Sequence, residues 1–377
     1  MSERVYDLII LGGGITGVGV GLAAAKRGFN CLIIEREKIL SATSANSLRI
    51  IHGGFRYLQA LSLDRTLQSI KAQKELSLKY PEYIKELSCI FPLKASGLKS
   101  RIPVSIANKI FCLLSAACGK RVENKILTKD LLDAQMPLLR SINFKHGLVW
   151  KDYTVYDQQG FHSALRKEYS EAGGLLLEGC EVSSVSKTSQ VLSVGFKDHN
   201  SSEIYYSAHN VVNCLGPWIE TVRTDIPGYN KKNFKWCKAY NLVFNKKLET
   251  DYALGIECRD LRNQNRLYFI TPREDFTVIG TEYAFLDWPQ EEPIVHDHEI
   301  ESFVNILNSG LPDLNLKIED LSHVEAGVLP IKNNLNQAIA LKGKEEIFRC
   351  DNYYELLSTK YTTFAVQALK IIKSLKI

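Results

Sequence analysis

The sequence predicts an α/β protein, α+β overall, in which a domain built on a parallel sheet is interrupted by a β-rich insertion. Three observations lead there. Residues 5–35 read strand, glycine turn, helix, strand; residues 157–216 place a helix before further short apolar runs; and residues 231 to about 324 hold strand-like runs in succession. The 377 residues, 45% apolar and 24% charged, describe two or three globular domains or one large domain with an insertion. That excludes a disordered chain, a collagen-like repeat and a small disulfide scaffold. A net charge of +5 does not argue for nucleic acid as a partner. The nine cysteines contain no C-x-x-C pair, so a zinc or iron–sulfur site has no support and free thiols of a reducing cytosol are expected. The N-terminus does not read as a signal peptide, and no stretch reaches the ~18 uninterrupted apolar residues of a membrane span. A cytoplasmic protein, soluble or peripheral at the inner face of the membrane, is expected.

Val5 to Leu11 is a short apolar run of the kind found in buried parallel strands, and Gly12-Gly13-Gly14-Ile15-Thr16-Gly17 follows at once. An Ala/Gly/Leu-rich helix then runs to Arg27 and stops at Gly28; Asn30 to Ile34 is a second strand, closed by Glu35. This is a Rossmann-like unit with G-x-G-x-x-G at Gly12, Gly14 and Gly17. Gly12 permits the tight turn, Gly14 lets the backbone approach a pyrophosphate, and Gly17 lets helix and strand pack closely. The amides of Ile15 and Thr16 at the helix start face the phosphates, and Glu35 accepts the ribose hydroxyls of an unphosphorylated dinucleotide.

The next segment, Ala42-Thr43-Ser44-Ala45-Asn46-Ser47-Leu48-Arg49-Ile50-Ile51-His52-Gly53-Gly54-Phe55-Arg56-Tyr57-Leu58, bears on which dinucleotide. Thr43, Ser44 and Ser47 offer short hydroxyl donors to phosphate oxygens, Arg49 offers charge, and Gly53 and Gly54 let backbone lie against a flat ring. Here the sequence resembles the FAD-dependent glycerol-3-phosphate dehydrogenases of the D-amino-acid-oxidase-like (DAO) superfamily, whose equivalent stretch runs A-T-S-S…K-L-I-H-G-G-L-R-Y-L. The resemblance continues through Asn213-Cys214-Leu215-Gly216-Pro217-Trp218, Phe276-Thr277-Val278-Ile279-Gly280-Thr281 and Lys360-Tyr361-Thr362-Thr363. It implies FAD as cofactor. It also implies that Arg36, His52, Val182 (at the adenine), Gly216, Trp218, Gly327, Thr359, Lys360, Tyr361 and Thr362 join the glycine-turn residues around it. The family acts at the membrane and passes electrons to quinone; quinone or oxygen is therefore the expected acceptor, with peripheral membrane contact open.

Further along, Leu63 to Tyr80 reads as a helix stopped by Pro81. Residues 94–125 carry Lys94, Lys99, Arg101, Lys109, Lys120, Arg121 and Lys125 against the single acid Glu123, around the apolar stretch Ile110 to Cys118. A buried core helix with a basic rim is the expectation, over a segment resting on an anionic surface. Asp157 opens a helix to Ala172; Leu175–177, 181–185 and 211–216 follow as strands. His296-Asp297-His298 is expected in an exposed loop, with no metal. The expected FAD-binding domain comprises 1–88, 147–222 and 325–377, and the substrate-binding cap 89–146 and 223–324. The family's helical C-terminal domain has no counterpart in this sequence.

The resemblance weakens where the family holds substrate. Its phosphate-binding arginine falls on Leu329 of Gly327-Val328-Leu329-Pro330-Ile331, a second arginine falls on Leu341 beside Lys342, and its histidine falls on Asn241. The family's G-T-T-D becomes Gly280-Thr281-Glu282-Tyr283. Arg56, Tyr57, Arg266 and Lys360 remain; with Asn241 and Thr281 they form the expected substrate pocket, Arg56 and Lys360 acting on the reacting oxygen or an anionic group. Exchanging a bidentate arginine for leucine removes charge-assisted hydrogen bonds of about 1.5–3 kcal/mol each. The expected reaction is hydride transfer from a secondary alcohol (polyol, sugar or phosphorylated polyol) to flavin, with an altered substrate pocket. A genuine glycerol-3-phosphate dehydrogenase using Lys342 and Lys238, and an amine or amino-acid oxidase, remain alternatives. Tyr57, Tyr240 and Tyr283 are unranked candidates for the base.

Overall fold

The structure, a computed structural model, describes residues 5–260, 264–332 and 339–375. Its longer helices are α1 (Ile15–Ala25), α2 (Leu63–Lys79), α3 (Arg101–Ala117), α4 (Gln158–Glu171), α5 (Asp297–Gly310) and α6 (Phe364–Ser374). Two mixed sheets carry them. In the first, Val5–Leu11 pairs in parallel with Glu203–Asn213 on one side and Cys31–Glu35 on the other, and Leu175–Glu178 extends the parallel set. Tyr353–Leu357 lies parallel to the end of Glu203–Asn213, and the hairpin Glu181–Thr188/Val191–Lys197 lies antiparallel to its start. Ile9, Ile10, Ile33 and Ile34 are wholly buried because both faces of this sheet are covered. Each such side chain contributes about 1.5–3 kcal/mol of transfer free energy. α1 packs against α6 and α4 on one of these faces.

In the second sheet the order is Leu321–Ile331, Lys235–Phe244, Phe276–Leu286, Asn265–Arg273, Ala253–Arg259, Ile84–Pro92, His146–Val155 and Ile50–Ile51, with Lys125–Thr128 also on His146–Val155. α5 packs beneath it, and Phe303 and Leu307 join its core. The β-rich insertion is thus present, but the expected domain breaks at 88/89, 146/147 and 324/325 fall inside strands of this sheet. Segments from both sides of each break share one hydrogen-bonded ladder, which local composition does not reveal. Residues 42–58 stitch the two sheets together. Thr43 Oγ1 accepts from the Val328 amide at 3.0 Å, Asn46 Nδ2 donates to the Ala326 carbonyl at 2.7 Å, and Ile50–Ile51 pairs with Tyr153 and Thr154.

Two expectations are corrected. α3 buries only Val104, Phe111 and Ser115, whereas Ile102 and Leu113 are 73% and 72% exposed and Ile106 is also exposed. Spacings of four and seven residues put all three on one outward stripe, so the segment is an amphipathic surface helix rather than a core helix. Periodicity marks an apolar face but not what covers it. His296 is not in a plain loop: it caps α5 in a capping box with Glu299 and stacks on His298 with ring centroids 5.7 Å apart.

Candidate active site and cofactor cleft

The parallel strands end, at Leu11, Glu35, Asn213 and Leu357, on one edge of the first sheet. That edge faces the second sheet across a cavity of about 1180 Å³. Ligands of open α/β sheets bind outside the carboxyl ends of such strands. The turn after Val5–Leu11 shows why its glycines are needed. Gly12 has φ +93° and a Cβ there would meet the Cys214 carbonyl oxygen at 2.9 Å, while a Cβ at Gly17 would lie 1.9 Å from the Gly12 carbonyl oxygen. α1 starts at Gly14 with no side-chain cap and no acid in its first turn, leaving an electropositive end toward the cavity. α6 likewise starts beside the cavity-lining Thr362 and Thr363 without a side-chain cap or first-turn acid.

Most expected site residues line this one cavity. Gly12, Gly14, Ile15, Thr16, Glu35, Arg36, Thr43, Ser44, Ser47, Val182, Gly216 and Trp218 do so along its dinucleotide arm. His52, Gly54, Arg56, Tyr57, Asn241, Arg266, Thr281, Gly327, Thr359, Lys360, Tyr361 and Thr362 line the remainder. Ser44 Oγ accepts from the Ile15 amide at 3.0 Å and Ser47 Oγ from the Arg49 amide at 3.2 Å, so each hydroxyl hydrogen stays available to a phosphate oxygen. Arg36 pairs with Glu291 and lies 5.1 Å over the Trp218 ring. Glu35 Oε2 accepts from the Gly13 amide at 2.6 Å, which fixes the carboxylate at the end of its strand.

Gly17, Gly53 and Arg49 do not line the cavity. Gly17 serves the helix–strand approach, and the Gly53 amide donates to Asp152 Oδ1 at 2.8 Å. Arg49, with φ +59°, does not face the phosphate arm: it pairs with Glu325 at 3.1 Å beside Arg273. Burial, then the Arg273 charge, lower its pKa from the ordinary arginine value. A long basic side chain in a loop carries no local sign of which carboxylate it will meet.

The residues that sequence reading missed cluster behind His52. Asp152, 4% exposed, accepts from His52 Nδ1 at 3.0 Å, Trp150 Nε1 at 3.1 Å, Gln73 Nε2 at 2.9 Å and the Gly53 amide. Burial works to raise the Asp152 pKa, but His52, the Gly53 amide and Trp150 together outweigh it and hold the group below the ordinary carboxylate value. Lys120 donates to Gln73, and burial lowers its own pKa to about 8. The available signal was an aspartate two residues after Trp150 in an apolar strand, hence on the same face.

Among the tyrosines, Tyr240 does not line the cavity; it is buried against Phe303 in the core of the second sheet. Tyr283 does line it, under the Arg266 guanidinium at 4.1 Å, and burial pushes its hydroxyl pKa up. Lys238 is buried and bound to Glu299 at 2.6 Å, and Lys342 pairs with Glu346 at 2.6 Å, so both lysines already have carboxylate partners. Leu329 and Leu341 line the cavity, and Asn241 accepts from the Thr281 hydroxyl at 2.9 Å.

With this geometry in view, comparison with known proteins is decisive at the level of family. The family model described as FAD dependent oxidoreductase (DAO) matches residues 7–353. The chain belongs to this family. This oxidoreductase is 25% identical to the aerobic glycerol-3-phosphate dehydrogenase of Staphylococcus saprophyticus, over 99% of the present chain and 67% of that protein. It therefore spans about two thirds of that relative's length. Among solved structures, the glycerol-3-phosphate dehydrogenase from Bacillus halodurans complexed with FAD aligns with TM-score 0.72 at 22% identity, covering 99% of this chain and 65% of that one. Glycine oxidase from Geobacillus kaustophilus aligns equally well, TM-score 0.72 at 14% identity, over 100% and 96%. These likenesses establish the shared fold. The cofactor of this oxidoreductase is FAD, and the site suits it: two open helix N-termini, free hydroxyl hydrogens at Ser44 and Ser47, and a glycine turn that no Cβ could enter.

Proposed function

We propose that this oxidoreductase converts a secondary alcohol of the polyol or sugar type to a ketone, with His52 as the base. The observation that carries the reading is the His52–Asp152 pair: an imidazole lining the cavity with its Nδ1 anchored 3.0 Å from a buried, ionised carboxylate. Donation from Nδ1–H to Asp152 leaves Nε2 as the acceptor of a ring that lines the cavity. FAD, when bound, supplies the two-electron acceptor for the hydride that leaves the carbinol carbon. His52 Nε2 takes the hydroxyl proton, and the resulting charge is shared with Asp152. Arg56 and Lys360 hold the substrate oxygen or its anionic group, and the Phe269 ring, 5.3 Å from that of His52, covers one side of the imidazole.

Leu329 and Leu341 on the wall support a substrate held differently from glycerol 3-phosphate. The electron acceptor in this reading is quinone or oxygen. No helix among the described residues is long and apolar enough to cross a membrane. The apolar stripe of α3, next to Arg101 and Lys109, supports peripheral contact with an anionic lipid surface. Anaerobic reduction of the bound flavin by a panel of polyols, sugars, 2-hydroxy acids, glycerol 3-phosphate and amines tests the proposal. Bleaching by an alcohol and loss of that bleaching in His52→Ala are expected; reduction by amines alone contradicts it.

A further inference from the structure

The cationic side chains of the cavity are of two kinds. Arg36, Lys99, Arg266 and Lys342 each meet a carboxylate, respectively Glu291, Glu257, Glu282 and Glu346. Arg56, Arg65, Lys332 and Lys360 take part in none of the described ion pairs, and of these Arg65 and Lys360 share one neighbour. Both approach the Tyr57 ring instead, the guanidinium carbon at 4.2 Å and the ammonium nitrogen at 4.3 Å from its centroid. Arg65 Nε is buried without a hydrogen-bond acceptor, and the guanidinium lies beside Gly343, where an added Cβ would lie 3.0 Å from Nη1.

Two like charges gathered on one aromatic ring and partly out of water, with only Glu345 near Lys360 and no ion pair to Arg65 among the described residues, favour a further group that supplies negative charge. Burial lowers the Lys360 pKa; the Arg65 charge adds to this, while Tyr57 and Glu345 oppose it.

We infer that Arg65 and Lys360, braced on Tyr57, form the seat for an acidic group carried by the substrate, a phosphate monoester or a carboxylate, and that Arg65 is the residue that selects for it. The seat rests on the alcohol-oxidation reading for its substrate, but its test does not need turnover. The FAD-loaded protein is titrated calorimetrically with inorganic phosphate and, separately, with acetate at constant ionic strength. The same is done with Arg65→Met, Arg65→Lys and the distant charge control Lys167→Met.

Wild type is expected to take up one anion, and the tighter of the two distinguishes phosphate monoester from carboxylate. Loss of charge-assisted hydrogen bonds predicts that Arg65→Met binds about ten- to a hundredfold more weakly. Arg65→Lys regains part of that, and Lys167→Met matches wild type, with FAD content equal throughout. Wild-type affinity in Arg65→Met, or no anion uptake by wild type, overturns the seat. If anion binding follows Arg65 but no alcohol reduces the flavin, the oxidation reading fails and the seat stands. If alcohols reduce the flavin while Arg65→Met binds anions as wild type does, the seat alone fails.

Discussion

Replacing Asp152 by asparagine keeps the shape of the side chain and removes its charge. In the native protein this carboxylate takes four hydrogen bonds between 2.8 and 3.1 Å, from His52, Trp150, Gln73 and the Gly53 amide. An amide can accept on only one of its two arms, so one pair of donors is left facing an NH2 group. The loss of hydrogen bonds to a buried charge predicts a stability decrease of about 1.5–3 kcal/mol. The catalytic effect is larger, because His52 loses the partner that fixes its tautomer and shares the charge it acquires. General acid–base catalysis contributes about 10²–10⁴-fold, and most of that range should vanish from the rate of flavin reduction. Anaerobic stopped-flow bleaching of the bound flavin by a saturating alcohol reads the rate in one turnover, free of the electron acceptor. Thermal unfolding reads the stability. A variant that bleaches as fast as wild type, with an equal FAD content, would refute the role given to the pair.

Other perturbations reach different links. Gly17→Ala places a methyl 1.9 Å from the Gly12 carbonyl oxygen; a preparation with little bound FAD and a lowered melting temperature is expected, and wild-type FAD occupancy would contradict the close-approach argument. Glu168 is held at a pKa of about 2, burial opposing but Lys26, Lys79 and Tyr80 prevailing. Because its folded pKa is depressed, the stability it contributes is present above the ordinary value of 4.5 and lost as pH falls from there toward about 2. Glu168→Gln should therefore flatten the melting temperature against pH below 5, a profile that calorimetry can follow. Ile106→Glu with Leu113→Glu should abolish co-sedimentation with vesicles rich in anionic lipid and leave the melting temperature within a degree or two; equal sedimentation of variant and wild type would remove the membrane role from α3. Leu329→Arg should tighten glycerol 3-phosphate at least about tenfold if the wall position is a phosphate-reading one. An unchanged apparent affinity would show that the leucine is not what sets that preference.

What could be read from the sequence was local. The glycine turn, its flanking strands and Glu35 lie within thirty-one consecutive residues, so spacing alone conveys their geometry, and the same holds for α2 and α4. The segment 42–58 was legible through its resemblance to the glycerol-3-phosphate dehydrogenases and its place just after the second strand; that it crosses from one sheet to the other was not. The direction of Arg49 was not legible, because Glu325 is 276 residues away and nothing in the loop points toward it. His52 and Asp152 are 100 residues apart and come together only through the pairing of Ile50–Ile51 with His146–Val155. Arg65 lies in α2, and its approach to Tyr57 comes from the fold and not from helix periodicity. For α3 the apolar stripe was visible, but whether protein or solvent covers it depends on neighbours that the pattern does not name.

The most direct test of the central claim is the visible spectrum of the purified, FAD-loaded protein under argon, recorded before and after addition of secondary alcohols bearing a phosphate or carboxylate, and of the matching amines. Bleaching of the flavin band by an acidic secondary alcohol, absent in His52→Ala, is the predicted result. A band that stays oxidised with every alcohol and bleaches with an amine or amino acid would contradict the account.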